Sequence, residues 1–249
     1  MIKAINKKGS HIGFVVSFVI FVTFLVFLYT IIQPVTVRER SKDYILDYLT
    51  LNLIGNSTIE LNTLIIEVID PLQANKDCIN LQSIGVDVIP LELRDNLVFK
   101  NPDGESLEYD IQNINVLHLR TGVGFLGIIN VYASEEFTGL INENIGGCDP
   151  DPYPIGYLKT YDEIFEVKIV ELSEAYYADY EALKITLGIP DGTEFNFYVY
   201  DSLRSEPPII SAEMQEPPTD RSVFVQETPI QYISEAGDTL FGFLVVEVW

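Results

Sequence analysis

Residues 12–32 read IGFVVSFVIFVTFLVFLYTII, and this stretch decides the architecture. No charged side chain interrupts it, whereas Lys3, Lys7 and Lys8 precede it and Arg38, Arg40 and Lys42 follow it. A helix of this length rises about 32 Å, the thickness of a bilayer's hydrocarbon layer. Ser17 and Thr23 can return their hydroxyls to the helix backbone, so they do not oppose insertion. The expectation is a transmembrane anchor over residues 12–33, bounded by Ile12 and Ile32 and carrying Phe14, Phe18, Phe21, Phe24 and Phe27 along one broad side. A buried core helix is the alternative, but a helix apolar all round needs a much larger protein to cover it. A cleaved secretory peptide is another. Its apolar region is shorter and ends in small residues, whereas this run ends Tyr29-Thr30-Ile31-Ile32-Gln33-Pro34.

The composition supports a folded domain beyond the anchor. The chain has 249 residues, 47% of them hydrophobic, which fills a core and excludes wholly disordered and collagen-like classes. With 15 Lys+Arg against 37 Asp+Glu the net charge is −22. Beyond Ile32 the balance is 12 basic against 37 acidic side chains, or −25. Such a surface repels polyphosphate, so no nucleic-acid partner is expected. The lysines and arginines on the two flanks tie by the positive-inside count. The Lys-poor, acidic downstream part, which holds both cysteines, breaks the tie and points to a cytoplasmic N-terminus with the C-terminal domain outside. No second apolar run of comparable length follows, so a single-pass protein is expected.

After the anchor, Pro34 is expected to kink or restart the helix, because it lacks the amide that continues the ladder. Residues 34–56 then read as an amphipathic stalk. Val37, Tyr44, Ile45, Tyr48 and Leu49 form its packing face, and Gly55-Asn56-Ser57 its end. Residues 57–249 read as one extracytoplasmic α+β domain, mainly antiparallel β with one long helix. The β-rich runs include IELNTLIIEVI, GVDVIPLEL, INVLHL, FLGIINVYA, FNFYVY, VFVQ and a terminal TLFGFLVVEV placed in the sheet interior. Asn101-Pro102-Asp103-Gly104 predicts a turn joining Leu97–Lys100 to Ser106–Asp110. Thr160-Tyr161-Asp162-Glu163 fits a capping box, with Phe165, Ile169, Leu172, Tyr176, Tyr180, Leu183 and Leu187 following at helical steps. Residues 165–169 also alternate as a strand does, leaving Glu171–Leu187 as the firm part of the helix. The segment Ser205–Asp220, with its paired prolines, reads as an exposed loop.

The search for chemistry returns little. His11 and His118 are the two histidines and stand on opposite sides of the span, so no histidine cluster forms and no triad or zinc site is expected. His118 reads as a structural or partner-facing side chain in a strand. Cys78 and Cys148 in an oxidising compartment read as a disulfide, with two buried free thiols as the alternative. Asp149-Pro150-Asp151-Pro152 and Glu143 lack the spacing of a calcium loop, so no metal is assigned. Glu135-Glu136 and the acids of residues 163–181 read as solvated surface in so acidic a chain. Gly122-Val123-Gly124-Phe125-Leu126-Gly127 has the form of a phosphate loop, but no helix follows it. No cofactor is expected, and the chain is not expected to be an enzyme. The tyrosines and phenylalanines, with Tyr176, Tyr177 and Tyr180 together, suit packing and protein contacts.

The stretch Asn6-Lys7-Lys8-Gly9-Ser10-His11, set directly before the apolar run, resembles the class III signal sequence of type IV pilins of the archaeal kind. The resemblance covers about the first 55 residues. It implies cleavage after Gly9 on the cytoplasmic side, which leaves residue Ser10 as the mature N-terminus of a helix that is both anchor and filament core. The fifth mature position is Phe14, where bacterial pilins carry an acid. The functional expectation is therefore a membrane-anchored surface protein with an interaction domain, a pilin-like structural subunit whose partners are the bilayer and other subunits, including copies of itself. The alternative is a tethered module that binds a protein or glycan and does not polymerise.

Overall fold

The computed structural model describes residues 10–69, 77–81, 93, 96–113, 116–138, 141, 145, 148, 156, 158–214, 217, 219 and 222–249. An N-terminal helix α1, Ser10–Asn56, is followed by a mostly antiparallel β domain in which two short helices lie among the described residues. Its strands are β1 (Thr58–Val68), β2 (Cys78–Leu81), β3 (Leu97–Lys100), β4 (Ser106–Leu107), β5 (Tyr109–Asn113), β6 (Val116–Arg120), β7 (Gly127–Ala133) and β8 (Lys159–Phe165). Then come helices α2 (Glu166–Ala178) and α3 (Tyr180–Thr186) and strands β9 (Phe195–Asp201), β10 (Ile210–Ala212), β11 (Phe224–Ile233) and β12 (Thr239–Val248).

Nine strands form one sheet in the order β10-β9-β12-β11-β8-β1-β7-β3-β4, and β2-β6-β5 form a second, three-stranded sheet. Among the described strands the ladders are antiparallel except where β11 meets β8, with Tyr232 opposite Ile164 and Ile233 opposite Phe165. The apolar terminal run is β12, an interior strand paired along its length to β9 and β11. Strand β1 joins the two halves of the large sheet by pairing with β7 on one side and β8 on the other.

Two main cores result from strand alternation. At one end, Leu46, Leu49 and Leu53 of α1 pack with Ile169 and Tyr176 of α2, with Leu183 and Leu187 at α3, and with the inward faces of β9 and β12. At the other end, Leu64, Ile66 and Val68 of β1 meet β3, β7 and the small sheet through Leu97, Phe99, Ile129, Val131, Tyr109 and Leu119.

Several expectations change. Residues 159–165 pair with β1 as a strand, so the apparent capping box does not start a helix; α2 begins at Glu166 behind an extended Phe165. The ladder to β1 holds six residue pairs in register, which local capping of a helix start cannot match. The expected single helix is two, because Asp179 leaves helical geometry at φ −154 and its Oδ1 accepts the amide of Ala182 at 3.0 Å, capping α3. Helix α1 runs through Pro34 without a break in its assignment. The packing face near its end is Leu46, Leu49 and Leu53, whereas Tyr44 and Tyr48 lie outside at 70% and 39% exposure. A tyrosine carries a hydroxyl that water can satisfy, so leucine takes the dry side where the two compete. Ile45 does pack at the edge of that core, and the helix ends at Asn56 as the Gly/Asn cluster requires.

The hairpin at Asn101–Gly104 forms: the Gly104 amide donates to Asn101 O at 3.0 Å, with Gly104 at φ +83. Its second arm stops at Leu107, and Tyr109–Asn113 departs to the small sheet. Within the segment expected as a loop, Ile210–Ala212 adds to β9 as an edge strand. Residues 122–127 are the connection from β6 to β7. The expected strand at 85–92, the turns at Asp70-Pro71 and Gly146-Gly147, and the acidic loop at 149–152 with Glu143 lie outside the described residues.

Candidate functional site

Helix α1 is the feature with no counterpart in an ordinary globular domain. The window Gly13–Thr30 has a mean hydropathy of 2.4 and none of it is buried, which makes it long and apolar enough to cross a membrane. Phe14, Phe18, Phe21, Phe24 and Phe27 are 74%, 59%, 57%, 53% and 58% exposed, so the structure leaves the whole expected stripe free of the domain. The Thr23 hydroxyl donates to Val19 O at 2.8 Å and Thr30 to Phe27 O at 2.8 Å, so these polar groups are satisfied within the helix itself. Ser10 is the first helical residue, Ile12 and Ile32 lie in the helix with side chains outside the described residues, and Gly9 precedes the described chain.

The same helix reverses character before its end. Leu49 is fully buried and Leu53 is 2% exposed. The stacked rings of Tyr44 and Tyr48, with centroids 6.4 Å apart, stay on the outer side. Tyr48 also closes over the turn after α3, where a side chain at Gly188 would meet its hydroxyl at 2.6 Å.

Cys78 and Cys148 form the disulfide, with α-carbons 5.5 Å apart. The bond ties residue 148 to β2, and the buried His118 of β6 reinforces the tie by donating from Nδ1 to Ile145 O at 2.8 Å. His118 therefore holds chain to chain, which is a structural task.

A further surface went unread in the sequence. Phe195, Phe197 and Val199 of β9 point into the core, so Tyr198 and Tyr200 take the other face, where they meet Val245 and Phe243 of β12 in register. These four are half-buried, and Val225 and Phe241 beside them are 56% and 61% exposed. The Arg204 guanidinium lies over the Phe243 ring at 4.4 Å and pairs with Glu227 across the strands. Arg204 adopts a left-handed backbone at φ +55, held by Asp201, whose Oδ1 accepts the amides of Leu203 at 3.0 Å and Ser205 at 2.8 Å. Those hydrogen bonds keep the exposed Asp201 carboxyl below its ordinary range, the one from Ser205 foremost. The alternation of FNFYVY contained this signal, since the period of two separates its phenylalanines from its tyrosines.

The titrating groups serve packing. Burial pushes the Tyr176 phenol up to about 12, and its one hydroxyl hydrogen has two acceptors in reach, Phe195 O at 2.9 Å and Asn196 Oδ1 at 2.8 Å. Burial raises Tyr180 and Tyr198 further still. Glu166 is raised by burial and by the nearby Glu235. Among the described residues no group of three or more His, Cys, Asp or Glu side chains is placed to hold a metal ion. No family model, no curated protein and no solved structure matches the chain.

Proposed function

We propose that the chain is a single-pass membrane protein whose domain stands outside the cell on the C-terminal part of α1, and that it acts as a pilin-like structural subunit. The observation that carries this reading is the division of one helix of 47 residues into a fully exposed apolar half and a half that enters the domain core. An apolar face of that kind is at home in lipid or against copies of itself, and the motif ending in Gly9 is the processing signal that frees it. Lipid provides no hydrophobic drive for helix association, so assembly rests on shape along the Phe14–Phe27 side and on domain contacts. The test is mass spectrometry of the mature N-terminus from native membranes. A chain beginning at Ser10, and loss of both trimming and higher assembly in Gly9→Trp with insertion retained, supports the reading. A mature chain still holding Lys3 with no assembly in the membrane refutes it. Protease added to intact cells digests the domain if the orientation is right.

The second reading is a tethered binding module. The half-exposed aromatic face of β9 and β12 supports it, since rings beside carboxylates suit a protein or glycan surface. Monomeric protein in native membranes together with retained Lys3 favours this alternative.

A further inference from the structure

Asn56-Ser57-Thr58 is the one Asn-x-Ser/Thr sequence in the chain, and its middle residue is not proline. It falls where α1 ends and β1 begins, with Asn56 as the last helical residue. We infer that Asn56 is an N-glycosylation acceptor, modified by a sugar delivered on a polyprenyl phosphate or diphosphate carrier; the inference rests on the outside placement of the domain.

The chemistry fits the amide. In the transfer the Asn56 Nδ2 bonds to the sugar's C1 while the C1–O bond to the carrier breaks. The carrier phosphate leaves with that electron pair, and one amide proton is lost to base. A primary amide has two hydrogens, so the product keeps one. In the folded chain one Nδ2 hydrogen is already used, donated to Asn52 O at 2.8 Å. The glycosylated amide retains that bond, and the sugar leaves along the second hydrogen.

The surroundings leave room. Asn56 and Gly55 are both exposed, and a Cβ built on Gly55 meets nothing within 4 Å. Its two sequence neighbours are the reverse: Ser57 is buried and donates to Leu53 O at 2.8 Å, and the Thr58 hydroxyl donates to Ile54 O at 2.7 Å. Only the asparagine of the triplet faces water. Because the folded helix end occupies the Thr58 hydroxyl that the transferase must engage, transfer takes place before residues 52–58 close into the helix and turn. Folding then leaves the sugar outside. Asn56 stands 26 residues past Thr30, about 39 Å of helix beyond the apolar window, clear of a membrane surface.

The experiment uses the full chain translated into microsomes charged with diphosphate-linked oligosaccharide, and reads glycosidase-sensitive mass. A control acceptor comes from Asp191→Asn, which turns Asp191-Gly192-Thr193, exposed at its first two residues and buried at Thr193, into an acceptor sequence for transfer before folding. One glycan on the unaltered chain, none on Asn56→Gln, and one on Asn56→Gln combined with Asp191→Asn supports the inference. No glycan on the unaltered chain but one on the double variant overturns it and leaves the outside placement standing. No glycan on either shows that the domain is not translocated, which overturns both. In native membranes the peptide spanning Asn56 carries a hexose-series mass increment. Recovery of that peptide only in unmodified form overturns the inference.

Discussion

Leu49→Ala, set against Leu51→Ala two residues along the same helix, tests how α1 is seated in the domain. Leu49 is fully buried among β9, β12 and α2, whereas Leu51 is 69% exposed. Removing a buried leucine costs about 3 to 5 kcal/mol, the transfer term plus the cavity that neighbours fail to fill. The site is enclosed by strands on one side and a helix on the other, so little collapse is available and the upper half of that range applies. For a domain of this size roughly 2–4 °C of melting temperature is lost per kcal/mol, so Leu49→Ala lowers Tm by about 8–20 °C. Leu51→Ala removes little buried area and stays within about 0.5 kcal/mol. The chain's single tryptophan, Trp249, is 4% exposed and reports unfolding of the detergent-solubilised full chain by fluorescence. Equal loss of Tm in both variants refutes the assigned packing face, and with it the claim that the anchor helix is built into the core.

Three further outcomes are expected. Cys78→Ser with Cys148→Ser opens a loop of 70 residues and lowers stability by roughly 4 kcal/mol in the chain-entropy account, measured by denaturant titration of the full chain; an unchanged midpoint counts against it. Gly242→Ala in β12 places a Cβ 2.3 Å from Tyr200 O, a backbone atom that cannot step aside, so it destabilises by about 1–3 kcal/mol and shifts near-ultraviolet circular dichroism. Alkaline pH acts through Tyr176. Its folded-state pKa stands above the ordinary value of 10.0, at about 12, so the folded state holds more protons between those values and stability falls as pH rises through that window. Tyr176→Phe flattens that slope, and an unflattened slope assigns the loss to other groups.

The N-terminal helix was legible because an uncharged apolar run of that length satisfies all its backbone groups only as a helix. The strands were legible where period-two alternation was clean, as in β1, β7 and β12. Two regions misled for opposite physical reasons. At Thr160–Glu163 the local signal for a helix start was sound, but pairing with β1 across about 100 residues of chain outweighed it. Near the end of α1, the spacing allowed either the tyrosine or the leucine side to face inward, and only the shape of the core chose. The tyrosine side of β9 was legible in FNFYVY, but its meeting with Phe243 and Arg204 was not, because that needs β9, β12 and the loop after β9 to come together.

The charge pattern explains how so acidic a domain holds together. Residues 43–249 carry nine basic against 36 acidic side chains, and self-repulsion of that size opposes compaction. Four of the described cations are placed at seams. Lys100 of β3 pairs with Asp238 in the turn between β11 and β12, and its side chain is only 7% exposed. Lys168 of α2 reaches Glu136, beyond β7, at 2.9 Å, and Lys184 of α3 reaches Glu194, before β9, at 3.1 Å. Arg204 bridges to Glu227 of β11 over the ring of Phe243. Exposed ion pairs add little on their own. Lys100 and Lys184 are different, because each is shielded from water and each neutralises a carboxylate from another segment, so losing either leaves an acid facing a field already strongly negative. Hence these few cations work as cross-links between elements of the domain.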